Sequence, residues 1–449
     1  MRPQLKFKVF SKRDADTQLI AVIDIGSNSV RLVVFKGLKR SPQILFNERV
    51  LCGLGRSISK TGCMDDEAIE KAVLTLKRFA FLCDDMEVDE VEVIATSAVR
   101  DAKNGSKFSE QILKECGFNI NTISGKEEAN LSALAVISGF PNVTGIVGDL
   151  GGGSLELAFI NNDEIIDEIS LPIGPLRFLN EKLELSWGDK TTIKNYINSV
   201  PWLKCGKGHP FYMVGGTWRL LSKLHLKNNN WPVPILHNYQ IPRDEIQNFT
   251  NTISKKSVEA LNEDFSIKNR RLPLIPAGAY ILKTVLKNIS SSEAICSSQG
   301  IREGIYFKKL NHKIKKKDPF IEACKEIADK TGGFSEHAYI LFSWMKPLFE
   351  KESNENLRLC FGCCLLSDIS LHGHSDFKAK IAFENSFYGQ FFSLDHRSRA
   401  IVSIALYLSY RGQFIGKNFQ NISKILPKKS IEFSKILGLS IRNYLEHID

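Results

Sequence analysis

With 449 residues the chain is long enough for about three domains, each with a sizeable core. Its 43% apolar and 24% charged residues are ordinary for a soluble globular protein. A net charge of +10 favours anionic partners: nucleic acid, anionic lipid or a polyphosphorylated substrate.

Residues 1–17 read as a tail, and "MRPQLKFKVFSKRDADTQLI" is basic without the continuous apolar stretch of a signal peptide. Residues 18–25 and 30–35 are expected as strands, rich in β-branched residues and joined by the tight turn "DIGSNS". A helical period follows over 65–83, with Ile69, Val73, Leu76 and Ala80 on one face. Strand "VEVIAT" (91–96), helix "FSEQILKEC" (108–116) and the short strand "INTIS" come next. The segment 124–140 opens on a capping box in which Ser124 caps and Glu127 reaches back to it. That arrangement gives Glu127 a local task and leaves Glu128 without one.

From 143 to 171 the pattern is strand, turn, strand, turn, strand; 211–224 and 293–310 are each a strand, a glycine turn and a helix. "NHKIKKKDP" (311–319) is a basic linker ending in proline, and 320–449 is expected to be helical. Within that last part "CFGCC" (360–364) lies in an apolar helical stretch, where cysteine behaves as a small core residue. The apolar run "AIVSIALYLSY" (400–410) is too short to span a bilayer. Ten cysteines without paired spacing fit reduced thiols, so the expectation is a cytoplasmic protein that does not enter membranes.

The turn at Asp24 returns at Asp149. "DIGSNSVRL" and "GDLGGGSLEL" align Gly26 with Gly151, Ser29 with Ser154 and Leu32 with Leu157, which predicts two related lobes. Glycine allows close backbone approach, so the amides of such a turn can cradle phosphate oxygens, helped by the short side chains of Ser27, Asn28, Ser29 and Ser154. An aspartate at each strand end, Asp24 and Asp149, can hold Mg²⁺ against those oxygens. Neither turn is a dinucleotide fingerprint or a P-loop, because each leads into a strand and no Gly-Lys-Ser/Thr follows.

"DIGSNSVRL", "ATSAVRDAKN", "SGKEEANL", "GDLGGGSLEL", "VGGTWRLL", "RLPLIPAGAYIL" and "SSQGIREGIYF" together resemble the exopolyphosphatase/guanosine pentaphosphate phosphohydrolase (Ppx/GppA) family, over roughly residues 18–310. The resemblance implies an α/β fold of duplicated actin-like ATPase (ribonuclease H-like) lobes, 18–142 and 143–312, followed at 318–449 by an all-helical HD-like domain. It implies Mg²⁺-dependent hydrolysis of the terminal phosphoanhydride of polyphosphate or guanosine pentaphosphate. The family's base then falls on Glu128, its cleft arginine on Arg100, its metal-associated positions on Asp24 and Asp149, and its phosphate loops on Gly26, Ser27, Asn28, Ser29, Gly151, Gly152, Gly153 and Ser154.

The helical part departs from the HD pattern: Ser367 precedes Asp368 where the histidine would stand, so His372 and His374 are expected to be structural. "RRLPLIP" also lacks the acidic residue common before the "PAGA" stretch. The basic balance suggests that Lys204, Lys207 and the "KIKKK" run track a long anionic chain. No nucleic-acid partner is expected, and the resemblance implies a homodimer. A guanosine pentaphosphate hydrolase and a non-catalytic polyphosphate or alarmone sensor are the competing expectations, with Trp218 and Trp231 the aromatics to test as a base platform.

Overall fold

The structure, a computed structural model, describes residues 14–178, 185–266, 269–331, 335–413 and 421–446, so most of the expected tail lies outside the described residues. The chain divides into two compact units. The first holds residues 1–229 and 240–315, the second residues 230–239 and 316–449.

Two mixed sheets build the first unit, in the orders β3-β2-β1-β4-β5 and β10-β11-β9-β6-β7-β8. In the first, β1 (Leu19–Ile25), β2 (Ser29–Lys36) and β3 (Gln43–Leu51) form an antiparallel meander, and β4 (Glu90–Ala95) joins β1 in parallel, followed by β5 (Asn121–Thr122). The second repeats that plan. Its meander is β6 (Gly145–Leu150), β7 (Leu155–Asn161) and β8 (Glu164–Leu171), with β9 (Phe211–Val214) parallel to β6, β11 (Glu293–Cys296) parallel to β9, and β10 (Tyr239–Pro242) at the edge. One topology used twice gives the two related lobes expected from the paired turns and the duplicated actin-like architecture that the family resemblance implies.

β1 reads "LIAVIDI" because a central strand is buried on both faces. Ala21, Ile23 and Ile25 pack into one core under the helices Asp66–Asp85 and Gly105–Cys116. Ile20 and Val22 face a second core shared with the helices Gly125–Gly139 and Ile301–Lys309 and with Val147, Ala158 and Val214 of the other sheet. These two helices therefore lie between the sheets. The capping box forms as expected: Ser124 N–H donates to Glu127 Oε2 at 2.8 Å, and Glu127 N–H donates to Ser124 Oγ at 3.2 Å. Glu128, one residue on, is buried.

The second unit is helical, with helices at Pro319–Thr331, Ser335–Met345, Asn354–Leu365, Lys378–Tyr388, His396–Arg411 and Lys428–Glu446 around one apolar core. Cys324, Cys360, Cys363 and Cys364 belong to that core, where burial raises their thiol pKa values, Cys360 to about 12. Arg399 is buried and donates to the carbonyls of Phe387, Gly389 and Phe391, which closes the end of the preceding helix. His372 Nε2 lies 2.9 Å from the Thr331 carbonyl, and His374 is exposed. Among the described residues no helix is long and apolar enough to cross a membrane.

Candidate active site

Asp24 and Asp149 end β1 and β6, and both line one cavity of about 170 Å³ in the first unit. The two hairpins close in the same way. Gly26 N–H donates to the Ser29 carbonyl at 3.1 Å, and Gly151 N–H donates to the Ser154 carbonyl at 3.0 Å. They also face each other, since a Cβ on Gly152 would sit 3.3 Å from the Ser27 Cβ. Gly26, Ser27, Asn28, Ser29, Gly151 and Gly152 line the cavity.

Each hairpin is braced from outside. The first is held by segment 52–55: Cys52 and Gly53 N–H donate to the Asn28 carbonyl, and Gly55 N–H donates to that of Ser27 at 2.7 Å. The second is held by segment 174–177, where Leu176 N–H donates to the Gly152 carbonyl at 2.9 Å. Gly174 lies flat on it, and a Cβ there would fall 2.3 Å from the backbone of Gly153 and Ser154.

Glu128 lines the same cavity from the first turn of its helix, 6% exposed. Burial, with Glu156 and Asp149 nearby, raises its pKa well above the ordinary carboxylate value, and Arg100 offsets this only in part. Arg100 Nη1 donates to Glu128 Oε2 at 3.3 Å and to the Ile123 carbonyl at 3.0 Å. Arg100 thus stands behind Glu128 rather than among the residues lining the cavity. Gly153 and Ser154 are likewise off the lining: Gly153 faces a smaller adjoining cavity, and Ser154 is buried with its Oγ lacking a hydrogen-bond partner.

Three features were not anticipated from the sequence. The first is Glu156, 1% exposed, with Oε1 accepting from Ser170 Oγ at 2.8 Å and Oε2 buried without a hydrogen-bond partner. Burial and Asp149 push its pKa up to about 7; the nearby Ser154 hydroxyl favours its ionised form without reaching hydrogen-bond geometry. Asp149, itself raised by burial, accepts from Ser132 Oγ at 2.6 Å.

The second is a cluster of arginines. Arg31, Arg49, Arg219, Arg271 and Arg302 all line the cavity. Burial lowers Arg31 and Arg271 to about 10, and neighbouring arginines add to the effect. A cation cluster that repels itself in this way is relieved by an anion. Arg271 lies directly over Gly216, where any Cβ would collide with its guanidinium.

The third is the pairing of Asp24. Its Oδ2 accepts from Arg302 Nη1 at 2.7 Å, so the first of the two aspartates already has a counter-charge. Four of these five arginines lie inside motifs quoted above, "DIGSNSVRL", "VGGTWRLL", "RLPLIPAGAYIL" and "SSQGIREGIYF", so the residues were visible and their convergence was not.

The donor set suits Mg²⁺. Asp149 and Glu156 are hard oxygen donors, buried and costly to ionise without a cation, and Glu156 Oε2 has no hydrogen-bond partner. Among the described residues no three His, Cys, Asp or Glu side chains close into a full protein cage. Mg²⁺ does not need one, because it takes most of its ligands from water and phosphate.

Trp218 is fully buried against Phe211 and donates from Nε1 to the Gly278 carbonyl at 3.0 Å, which makes it core. Trp231 belongs to the second unit and donates to His396 Nδ1 at 2.8 Å. Neither serves as a base platform for this cavity. Lys204 and Lys207 are exposed and do not line it. In the "KIKKK" run, Lys315 lies over the Phe307 ring and Lys317 pairs with Glu322.

Two matched lobes, opposed glycine hairpins and a cavity with carboxylates and arginines define a phosphate-handling protein of the actin-like ATPase architecture. Residues 20–313 match the Ppx/GppA phosphatase family and residues 320–446 match "Exopolyphosphatase, C-terminal"; the chain belongs to the Ppx/GppA phosphatase family. It is 30% identical over 293 residues to the bifunctional 3-dehydroquinate synthase/phosphatase of Fusobacterium nucleatum, covering 60% of this chain and only 43% of that relative. Exopolyphosphatase 1 of Mycobacterium leprae is 26% identical over 65% of this chain and 89% of its own. A solved Ppx/GppA family structure from Aquifex aeolicus superposes with a TM-score of 0.56 at 27% identity, covering 65% of this chain and 97% of that one.

Proposed function

We propose that the protein is an exopolyphosphatase that releases terminal orthophosphate from inorganic polyphosphate by Mg²⁺-dependent hydrolysis. The observation that carries this reading is the division of one cavity between three carboxylates, Asp24, Glu128 and Asp149, and five arginines, with no aromatic side chain among its described lining residues. A polymer of phosphates satisfies the arginines along its length and needs no base platform.

In this reading the arginines and the loop amides bind the chain and align its terminal phosphoryl group. Glu128 accepts a proton from the attacking water; burial raises its pKa, which makes its carboxylate a stronger proton acceptor once ionised. Arg100 holds Glu128 in place. Asp149 and Glu156, with Asp24 beside them, would hold Mg²⁺, which when bound supplies charge neutralisation on the phosphoryl oxygens.

Guanosine pentaphosphate is the second reading. It is favoured by 24% identity, over 66% of this chain, to a guanosine-5'-triphosphate,3'-diphosphate pyrophosphatase of Pseudoalteromonas atlantica. Retrograde regulation protein 2 of Saccharomyces cerevisiae, 24% identical over 88% of this chain, keeps a sensor without turnover among the outcomes. Incubation with long polyphosphate, guanosine pentaphosphate, or ATP plus small acceptors, each with Mg²⁺, separates them. Phosphate released from polyphosphate supports the first reading. Release from guanosine pentaphosphate alone supports the second, and tight binding with no product supports the sensor.

A further inference from the structure

We propose that Arg177 is a positioning residue of this site, one that holds the second glycine hairpin and the Arg100–Glu128 pair in a single register. The inference rests on the hydrolytic reading above. Arg177 ends the short turn Pro175–Arg177 and does not line the main cavity. Its Nε donates to the Gly153 carbonyl at 2.5 Å, and its Nη2 donates to Asp101 Oδ2 at 2.6 Å. Asp101 Oδ1 accepts from Arg100 Nε at 3.3 Å, and Arg100 reaches Glu128 at the same distance. Four side chains of alternating charge thus run from a loop after the second meander to the carboxylate over the substrate end.

The network walls the site. A smaller cavity of about 60 Å³, bounded by Asp101, Gly153 and Arg177, shares Ser27, Ser97 and Leu176 with the main one. Ser27 and Ser97 hydroxyls lie 3.0 Å apart at that junction. Arg177 and Asp101 side chains are 36% and 30% exposed, a setting in which an ion pair adds little to stability. Its value is geometric. Holding the Gly153 carbonyl outward leaves the hairpin amides to face phosphate, and fixing Asp101 fixes Arg100 Nε, so that its Nη1 reaches Glu128. A guanidinium fork can hold a carbonyl and a carboxylate together, whereas an ammonium lacks that planar geometry.

The test uses the full chain with tripolyphosphate and Mg²⁺, comparing wild type, Arg177→Ala, Arg177→Lys, Asp101→Asn and the Arg177→Ala/Asp101→Asn double variant. Arg177→Ala is expected to lower kcat about 10–100-fold with KM changed less than about threefold and Tm nearly unchanged. Arg177→Lys should recover part of that loss, and the double variant should be no slower than Arg177→Ala alone. Amide exchange at residues 151–154 should quicken about tenfold in Arg177→Ala, whatever the substrate proves to be. Wild-type kcat in Arg177→Ala, a loss carried by KM or Tm, or additive single effects would overturn the proposal. A wild type inactive on every phosphate substrate overturns the hydrolytic reading instead, and unchanged exchange at 151–154 overturns the bridge independently.

Discussion

Arg31 and Glu156 occupy the same place in the two hairpins. Each is the cross-strand partner of the hairpin's aspartate, Arg31 opposite Asp24 and Glu156 opposite Asp149. One backbone plan therefore carries opposite charges at equivalent positions. The first copy contributes to the cationic lining, the second to the acidic corner. On the proposed reading this asymmetry gives the cavity a direction: the anionic chain would lie along the arginines and its end would meet the carboxylates.

Glu128 lies at that end, so Glu128→Gln should reduce phosphate release by about 10²–10⁴ while polyphosphate binding stays within a few-fold. Parallel turnover and equilibrium-binding measurements check this. Unchanged turnover removes Glu128 as the base.

On the proposed reading Arg271, which lines the cavity, serves binding. Arg271→Gln should raise KM for polyphosphate about 10–100-fold with a smaller change in kcat. By analogy with polyanion binding to nucleic-acid proteins, the slope of log KM against log salt should flatten by about one. Steady-state kinetics at several salt concentrations read both.

Removing one member of the Arg302–Asp24 pair leaves a partly buried charge alone. Arg302→Met should cost about 3 kcal/mol of stability, and Asp24→Asn combined with it should restore part of the loss. Denaturant melts of the single and double variants measure the difference.

Glu156 gives a pH signature in metal-free buffer. Its pKa rises from the ordinary 4.5 to about 7 on folding. Below about pH 4.5 folded and unfolded chains both carry the proton, so burial costs nothing. Between 4.5 and 7 the unfolded chain releases it first and stability falls; above 7 the deficit is constant. Glu156→Gln should therefore melt several degrees higher than wild type at pH 8, with the gap closing toward pH 4.5. Added Mg²⁺ should raise the wild-type Tm and leave that of the variant nearly unmoved.

Much of this was legible in the chain. The two Asp–Gly hairpins were visible because turn chemistry is local, and the Ser124–Glu127 box singled out Glu128 before any contact was known. β3 was passed over: "QILFNERVL" is an edge strand, half exposed, and its polar residues hide the alternation. Arg49 went with it. Arg100 read as the family's cleft arginine, yet its contact with Glu128 and its part in a network reaching Arg177 depend on a loop seventy-six residues beyond Asp101, which no spacing rule reports. Glu156 sat in a quoted motif and read as a strand residue, because its significance comes from burial next to Asp149.

The tie between Asp24 and Arg302 has a further consequence. Arg302 belongs to the helix Ile301–Lys309 between the two sheets, and Tyr306 of that helix donates to the Gly37 carbonyl at 2.6 Å at the end of β2. Pulling that helix away from β1 would separate a buried guanidinium from its carboxylate, so movement there is disfavoured before any ligand arrives. On the proposed reading a polyphosphate chain then enters end-first, like thread into a needle, and one carrying a bulky group at both tips should be refused however many phosphates lie between them.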